Sequence, residues 1–320
     1  MPDTEKPKSI ILSKRANVFY LEHVRVMQKD DRVIFITDRE GDVSGKLKPY
    51  FNLPERNTVF VLLGKGSSIT DAAARRLAAA GVVVGFSGSG GTPLFNEVDL
   101  VFMPHYSEYR PTQYMQGWAR IWLDESARLD AAKELLKQRM RITEQAWCSQ
   151  GLGDEILGNL DVNGLARSIS ESHTSTQLLA AEGRWAKSVY KAFASHYSLQ
   201  NFKRKEGEGE STTKEDKVNA LIDHGNYLAY GYSAAILCTL GISYAFPLLH
   251  GKTRRGGLVF DVADLIKDGY VLPTAFEFGA QSKKQKEFRK SLVDKIHKSG
   301  VLDDLFTVLE NLSARGSSSQ

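Results

Sequence analysis

The sequence predicts an α+β protein of two domains, with a β-rich N-terminal domain over residues 1–105 that contains a small βαβ element and a mostly α-helical domain over residues 106–320. Extended apolar runs separated by turn-rich segments dominate the first hundred residues, whereas apolar residues recur at three- and four-residue spacing through most of the remainder. The length of 320 residues also exceeds the usual size of a single hydrophobic core.

The first domain is predicted from strand-like runs such as "NVFYLEHVRVM" and "RVIFIT". The segment "TVFVLLGKGSSITDAAARRLAAAGVVVGFSG" then reads as a strand, a glycine loop, an alanine-rich helix and a second apolar strand. This order predicts a βαβ crossover, in which Thr70 or Asp71 lies at the cap of the helix.

The glycine loop of this crossover allows two interpretations. Gly64 and Gly66 supply the first two glycines of a dinucleotide-binding fingerprint, but the third position is Ile69 and no acidic residue closes the second strand. The favoured interpretation is a tight turn between strand and helix. A nucleotide-binding enzyme using the Gly64–Gly66 loop is kept as an alternative. The later "HGKT" lacks the upstream glycine of a phosphate-binding loop, since Phe246 occupies that position.

The second domain begins after "MPHYSEYRPTQY" with a helical pattern of roughly nine turns in "YMQGWARIWLDESARLDAAKELLKQRMRITEQAW". Residues 202–217 carry five cations and five anions without apolar periodicity, which predicts a mobile loop. The basic residues of this segment, Lys203 to Lys205, predict that the loop could close on a polyanion.

Composition restricts the class of protein. The 42% hydrophobic and 25% charged residues are ordinary for a soluble globular chain, and a net charge of +4 permits a polyanionic partner without establishing one. Cys148 and Cys238 have no metal-binding spacing and are expected to be reduced core thiols. Because neither the N-terminus nor the interrupted run "AAILCTLGISYAFPLL" resembles a signal peptide or a membrane span, we expect a cytosolic protein.

The chemistry is concentrated in "HGKTRRGGLVFDVADLIKD", residues 250–268. If a helix opens near Asp261, then Asp261, Asp264 and Asp268 share one face, while Val262, Leu265 and Ile266 face the core. Such a face is either exposed, with Asp261 as the N-cap, or it binds a hard divalent cation. The Gly-Gly turn would bring His250 alongside the aspartates, a mixed N/O donor set that suits Mn²⁺, or Mg²⁺ when water completes the shell. Three further residues, Lys252, Arg254 and Arg255, could then hold a phosphate backbone.

Four separated segments together resemble one family: "SKRANVFYLEH", "SEYRPTQYMQGW", "DHGNYLAYGYSAA" and "HGKTRRGGLVFDVADLIKD". Their order over nearly the whole chain is similar to the CRISPR-associated integrase family, Cas family one, and most similar to its type I-F branch. The resemblance implies an N-terminal domain used for dimerisation and an α-helical catalytic domain. It also implies a metal site, for Mg²⁺ or Mn²⁺, made by one Glu, one His and two Asp.

By this resemblance the ligands are Glu182, His250, Asp261 and Asp264, which would also be the catalytic residues. Glu182 is chosen because "EGRWAKSVY" matches the family pattern, which Glu171 does not. Asp268 is left as a supporting residue. The implied reaction is the attack of a 3'-hydroxyl of spacer DNA on a phosphodiester of the CRISPR repeat, by transesterification without ATP.

The resemblance also implies partners and a compartment: spacer and repeat DNA, a second copy of this chain, and the Cas family two protein fused to the helicase-nuclease, in the prokaryotic cytoplasm. No membrane partner is expected. A non-catalytic DNA-binding subunit of the same adaptation complex is the first alternative, because the acidic cluster could then be purely structural.

Overall fold

The computed structural model describes residues 17–37, 50–86, 112–199, 201–205, 213–250 and 256–317. The chain divides into two compact units, Met1–Arg110 and Pro111–Gln320. The first is built around β-strands and the second around α-helices, so the predicted two-domain α+β fold is confirmed. The predicted division after residue 105 lies outside the described residues.

The described strands of the first unit form two sheets. The strands are β1 (Asn17–Leu21), β2 (Val24–Lys29), β3 (Arg32–Thr37), β4 (Tyr50–Leu53), β5 (Thr58–Leu63), β6 (Ser68–Ile69) and β7 (Val83–Phe86). A parallel sheet has the order β1-β5-β7, and a mixed sheet has the order β4-β3-β2-β6, in which β2 is antiparallel to β3 and parallel to β6.

The βαβ crossover is present as predicted, with helix α1 (Asp71–Ala79) between the parallel strands β5 and β7. Thr70 is the N-cap of α1, and its side chain accepts a hydrogen bond from the backbone N–H of Ala73. The buried Ala73 and Leu77 of α1 pack with strand residues such as Val26 and Val61 to form the core of this unit. Strand β5 is buried on both faces, since Phe60, Val61, Leu62 and Leu63 are all buried. Strand β2 instead begins with alternating buried and exposed residues, as a strand with one covered face does.

The second unit consists of helices packed around α7, which is buried on most of its surface and lies against α8 and α9. The helices are α2 (Gln113–Leu123), α3 (Glu125–Ser149), α4 (Gly153–Ile156), α5 (Val162–Glu171), α6 (Ser175–His196), α7 (Lys214–Leu240), α8 (Gly257–Ile266), α9 (Leu272–Ala280), α10 (Gln285–Ser299) and α11 (Val301–Ser317). A π-helical segment, Lys267–Val271, joins α8 to α9. Among the described helices, none combines the length and apolarity needed to cross a membrane.

The prediction of one continuous nine-turn helix is wrong, because the chain breaks at Asp124 into the two helices α2 and α3. Asp124 has extended backbone angles, and its carboxylate accepts the backbone N–H of Ala127. Aspartate at this position competes with helical continuation by capping the following helix. The cysteines are free, as expected, but they are not core thiols: Cys148 is exposed and Cys238 is partly exposed.

The prediction of a mobile loop over residues 202–217 is wrong at both ends of that range. Phe202 packs on Phe276 with a ring separation of 4.8 Å, and Arg204 forms an ion pair with Asp223. At the other end, Thr213 and Asp216 form a capping box that begins α7. Residues 206–212 lie outside the described part of the chain.

Candidate active site

Asp261 is a buried aspartate one turn inside α8, with 1% of its surface exposed. Its Oδ2 accepts the backbone N–H groups of Leu248 at 2.6 Å and Leu249 at 3.1 Å. Its Oδ1 accepts the backbone N–H of His250 at 3.0 Å and lies 2.6 Å from Nδ1 of the same residue. Four donors therefore surround this carboxylate and fix the segment that precedes α8.

His250 is oriented by that contact. Since Asp261 accepts at Nδ1, the neutral imidazole carries its proton there and presents the lone pair of Nε2, which lies 3.9 Å from Oδ2 of Asp264. Burial lowers the pKa of His250, but the hydrogen bond to Asp261 and the charges of Asp264 and Asp261 outweigh it, so that the pKa is raised above 6.5.

Asp264, one turn further along α8, lies between two cations. Its Oδ1 accepts Nζ of Lys267 at 2.6 Å, and its Oδ2 lies 3.7 Å from Nη1 of Arg139. Burial raises the pKa of Asp264, but the charges of Lys267, Arg139 and His250 lower it further than burial raises it. The carboxylate is therefore held in its charged form.

Lys267 begins the π-helical segment and is largely enclosed, with 16% of its side chain exposed. Its Nζ lies 3.3 Å from the hydroxyl of Tyr230 and 4.6 Å from the centre of that ring. Burial lowers the pKa of Lys267, but Asp264 and Tyr230 together raise it above 10.5. Lys267 thus places a fixed positive charge beside Asp264.

Glu182, on α6, is joined to Asp264 and its neighbours by an ion pair with Arg139 of α3. Nη1 of Arg139 donates to Oε1 of Glu182 at 2.8 Å, while Nε and Nη2 donate to the two carboxylate oxygens of Asp268 at 2.8 and 3.1 Å. The guanidinium therefore bridges three helical elements. The two parallel bonds to Asp268 fix its plane, and the remaining edge faces Glu182 and Asp264.

The π-helical segment is tied to α3 by tryptophan and glutamine. Nε1 of Trp147 donates to the carbonyl of Asp268 at 2.8 Å, and Nε2 of Gln150 donates to the carbonyl of Gly269 at 2.8 Å. Nε1 of Trp185, from α6, donates to Oδ2 of Asp268 at 3.1 Å. Because π-helical geometry alters the normal helical hydrogen bonding, these donors stabilise its carbonyls and the carboxylate behind the site.

The structure brings Glu182, His250, Asp261 and Asp264 together, in one group that we call the charged cluster with Asp268, Arg139 and Lys267. The competing Glu171 is exposed at the last residue of α5. The apolar residues Val262, Leu265 and Ile266 are buried, as predicted. Three further predicted residues, Lys252, Arg254 and Arg255, lie outside the described residues.

Two expectations about Asp261 are corrected. It is not the N-cap of α8, because the helix already begins at Gly257 with Gly256 as the cap at φ 70°. It is not on an exposed face either. A Cβ at Gly257 would lie 2.9 Å from Cβ of Pro247, so the close approach of the two segments requires glycine there. The Gly-Gly pair therefore allows the earlier helix start and buries Asp261.

Arg139 and Lys267 were not anticipated as members of the site. A signal for Arg139 exists in the sequence: it falls at helical spacing from the buried residues Leu135, Leu136 and Ile142, where an arginine is unusual. A buried arginine on an apolar helical face indicates an internal carboxylate partner.

The contacts of the charged cluster determine whether it can hold a divalent cation. Within the described ranges, no three His, Cys, Asp or Glu side chains are close enough together to hold a metal ion as they stand. The donor chemistry of Glu182, Asp264 and Nε2 of His250 nevertheless fits Mg²⁺ or Mn²⁺, since oxygen and imidazole donors surround an excess of negative charge. Asp261, whose oxygens accept four donors, fits the role of orienting the histidine ligand rather than that of a ligand.

The glycine loop of the first unit does not have the open form of a phosphate-binding loop. A Cβ at Gly64 would lie 2.7 Å from the hydroxyl of Tyr20, and one at Gly66 would lie 2.5 Å from Nδ1 of His23. Gly66 has φ 69°, as a tight turn requires. The space over both glycines is therefore filled by the protein's own side chains, which supports the turn interpretation over the nucleotide site.

Comparison with known proteins gives one consistent family. A curated relative from Pseudomonas aeruginosa, named CRISPR-associated endonuclease Cas1, is 41% identical over 96% of this chain and 96% of that protein. One of the same name from Pectobacterium atrosepticum is 40% identical over 96% of this chain and 95% of that protein. A solved structure described as a TtCas1–DNA complex shares the fold, with a TM-score of 0.61 at 24% identity over 92% of this chain and 96% of that chain.

The family model described as CRISPR associated protein Cas1 matches residues 20–304. This range includes every described member of the charged cluster and both sheets of the first unit except the first three residues of β1. The family resemblance predicted from the four sequence segments is therefore confirmed. The chain belongs to the Cas1 family of CRISPR-associated proteins.

Proposed function

We propose that this chain is a metal-dependent DNA endonuclease and integrase of CRISPR adaptation, of the type I-F branch, acting in the prokaryotic cytoplasm. The observation that carries the proposal is that three of the predicted ligands are neighbours in a largely enclosed site. Glu182 and Asp264 face the same Nη1 of Arg139, and Nε2 of His250 lies 3.9 Å from Asp264. Membership of the family and the name endonuclease borne by relatives of about 40% identity support it.

In this proposal Glu182, His250 and Asp264 hold the metal, and Asp261 orients His250. A bound Mg²⁺ or Mn²⁺ would supply Lewis-acid polarisation of the phosphodiester and activation of the attacking hydroxyl. Asp261 keeps the proton of His250 on Nδ1, so that the lone pair of Nε2 stays available to bind the metal. Lys267 keeps Asp264 ionised and adds a positive charge where negative charge develops on the phosphate.

The reaction is a transesterification. The 3'-oxygen of spacer DNA forms a bond to the phosphorus of a repeat phosphodiester, and the bond from that phosphorus to the repeat's own 3'-oxygen breaks. The proton lost by the attacking hydroxyl is balanced by the proton taken up by the leaving 3'-oxygen. Since one phosphodiester replaces another, no ATP is consumed.

The proposal includes the DNA contacts and the assembly. Lys252, Arg254 and Arg255 hold the phosphate backbone next to the site. The N-terminal unit dimerises two copies of this chain, and the Cas family two protein fused to the helicase-nuclease completes the complex. One solved structure of the same fold is a complex with DNA, which is consistent with these contacts.

A second candidate is a non-catalytic DNA-binding subunit. It is favoured by one observation: Glu182 and Asp264 already form ion pairs with Arg139 and Lys267. In that case the charged cluster would be structural only, and its carboxylates would have no affinity for a divalent cation.

Strand transfer of a 3'-hydroxyl DNA fragment into a supercoiled repeat-bearing plasmid separates the two candidates. The native chain, with its partner protein added, should give joined product with Mg²⁺ or Mn²⁺ and none with EDTA. Asp264→Ala should abolish the product while keeping DNA binding, whereas Asp130→Ala, at an exposed aspartate of α3, should leave it unchanged. Equal product from the native chain and Asp264→Ala would refute the proposed site.

A further inference from the structure

Arg139 and Asp268 lie behind the proposed metal ligands. Both are buried, with 7% and 4% of their side chains exposed. The guanidinium donates twice to Asp268, and its third contact reaches forward to Glu182 at 2.8 Å. Two of its three carboxylate contacts, with Glu182 and Asp264, are therefore with proposed ligands, while Asp268 is on the side away from them.

The charges of the cluster do not cancel. Its four carboxylates are Glu182, Asp261, Asp264 and Asp268, and its two permanent cations are Arg139 and Lys267. With His250 neutral, two negative charges remain, which is the charge that one divalent cation neutralises. In a buried site this balance is decisive, because uncompensated charge is costly where water is excluded.

Asp268 decides how much of the charge of Arg139 reaches the ligands. Its two parallel hydrogen bonds compensate the guanidinium and fix its position. Without the negative charge of Asp268, Glu182 and Asp264 would be the only carboxylates that compensate Arg139. The guanidinium would then compete with a metal for both of them.

We propose that Arg139 and Asp268 form a charge-compensating pair that sets the net charge offered to the metal, although neither residue binds the metal itself. The inference rests on the proposed function, since it assumes that Glu182, His250 and Asp264 bind a divalent cation. Both residues would act on the metal only through the charge that they leave on its ligands.

The test is the affinity of the full chain for Mn²⁺, measured by calorimetry and by the electron paramagnetic resonance signal of free Mn²⁺. Asp268→Asn keeps the shape of the side chain but leaves one negative charge in the cluster instead of two. It should weaken Mn²⁺ binding by about tenfold or more, because a full charge several ångströms away is felt strongly in a buried site. The double variant Arg139→Gln/Asp268→Asn restores the two negative charges and should bind within about threefold of the native chain.

A neutral control separates charge from packing. Trp185→Phe removes the N–H that Asp268 accepts at 3.1 Å but changes no charge. Its Mn²⁺ affinity should remain within about threefold of the native value, since only a net hydrogen bond is lost. A loss in Trp185→Phe equal to that in Asp268→Asn would mean that the pair is merely structural and would overturn the inference.

The remaining outcomes are also distinct. If folded Asp268→Asn binds Mn²⁺ like the native chain, or if the folded double variant binds as weakly as Asp268→Asn, the inference is wrong while the proposed function stands. Should Asp268→Asn alone not fold, the double variant decides, because it leaves no buried charge unpaired at this position. If the native chain itself binds no Mn²⁺, the proposed function fails and the inference fails with it.

Discussion

Nδ1 of His250 lies 2.6 Å from Oδ1 of Asp261, in a contact that joins a residue upstream of the Gly-Gly pair to the middle of α8. The same carboxylate accepts the backbone N–H groups of residues 248–250. Asp261 therefore has two roles, since it holds a segment of backbone and selects the tautomer of the histidine.

Asp261→Ala should destabilise the helical unit by about 3 kcal/mol or more, because it leaves three backbone N–H groups without their buried acceptor. Asp261→Asn keeps one acceptor oxygen and should cost less. Urea denaturation measures both, and Asp130→Ala on exposed α3 surface is the matched control, expected within about 0.5 kcal/mol of the native chain. A destabilisation by Asp261→Ala as small as that of the control would show that the backbone segment does not depend on this carboxylate.

Stability should fall with rising pH through His250. Its folded pKa is raised above the usual 6.5, so the protonated form is favoured by folding. The stabilisation is fully present below pH 6.5 and is lost as the pH rises through the raised folded value. The measurement compares the free energy of unfolding of the native chain and of His250→Gln between about pH 6 and about pH 9, a range that begins below the ordinary pKa of histidine. The difference between them should shrink as the pH rises, and a constant difference would contradict the prediction.

Gly269→Ala should destabilise the helical unit by about 1–3 kcal/mol, because overpacking forces neighbouring groups apart. A Cβ at this position would lie 2.9 Å from Cβ of Ala146, at the contact between the π-helical segment and α3. Gly158→Ala is the control, since no atom lies within 4 Å of a Cβ there. Thermal unfolding should separate the two variants. Equal melting temperatures would show that the segment and α3 can move apart without cost.

Arg204→Ala should cost about 2 kcal/mol, since Asp223 would lose a partly buried partner. The guanidinium also donates to the side-chain oxygen of Asn219 at 3.2 Å. Lys205→Ala should be nearly neutral, because its side chain is 72% exposed and lies 3.7 Å from Asp216. Chemical denaturation of the two variants provides the comparison.

Salt-dependent DNA binding by the same two variants tests whether this segment contacts a phosphate backbone. A phosphate contact by Lys205 would reduce the salt slope in Lys205→Ala without changing stability. Unchanged binding in both variants would assign the segment a structural role only.

Much of the fold could be predicted from local patterns. The βαβ crossover was predictable because strand, capping threonine and helix follow one another along the chain, and each is determined by neighbours within a few residues. The break at Asp124 was missed because the apolar period continues across it, and only the preference of aspartate for a cap position stops the helix.

The site was predictable only where its residues are close in sequence or belong to a motif. His250, Asp261 and Asp264 lie within fifteen residues, and Glu182 was chosen through the family pattern. Arg139 was missed because its partners Glu182 and Asp268 are 43 and 129 residues away, and no local rule relates such distant charges. The burial of Asp261 was missed for a different reason: its backbone donors are near in sequence, but no local pattern shows that residues 248–250 pack back on the helix.

Because of the π-helical segment, the site depends on the number of residues between α8 and α9 as well as on their identity. A π-helical turn is equivalent to one residue inserted into an α-helix. Deleting one residue from Lys267–Val271 would let α8 run directly into α9 and would turn everything beyond it by about 100° around the helix axis. The aromatic face of α9 at Phe276, which packs on Phe193 of α6 and on Phe202, would then point elsewhere. Among relatives of this chain, a gap in this short segment would therefore be a better sign of a lost site than many substitutions around it.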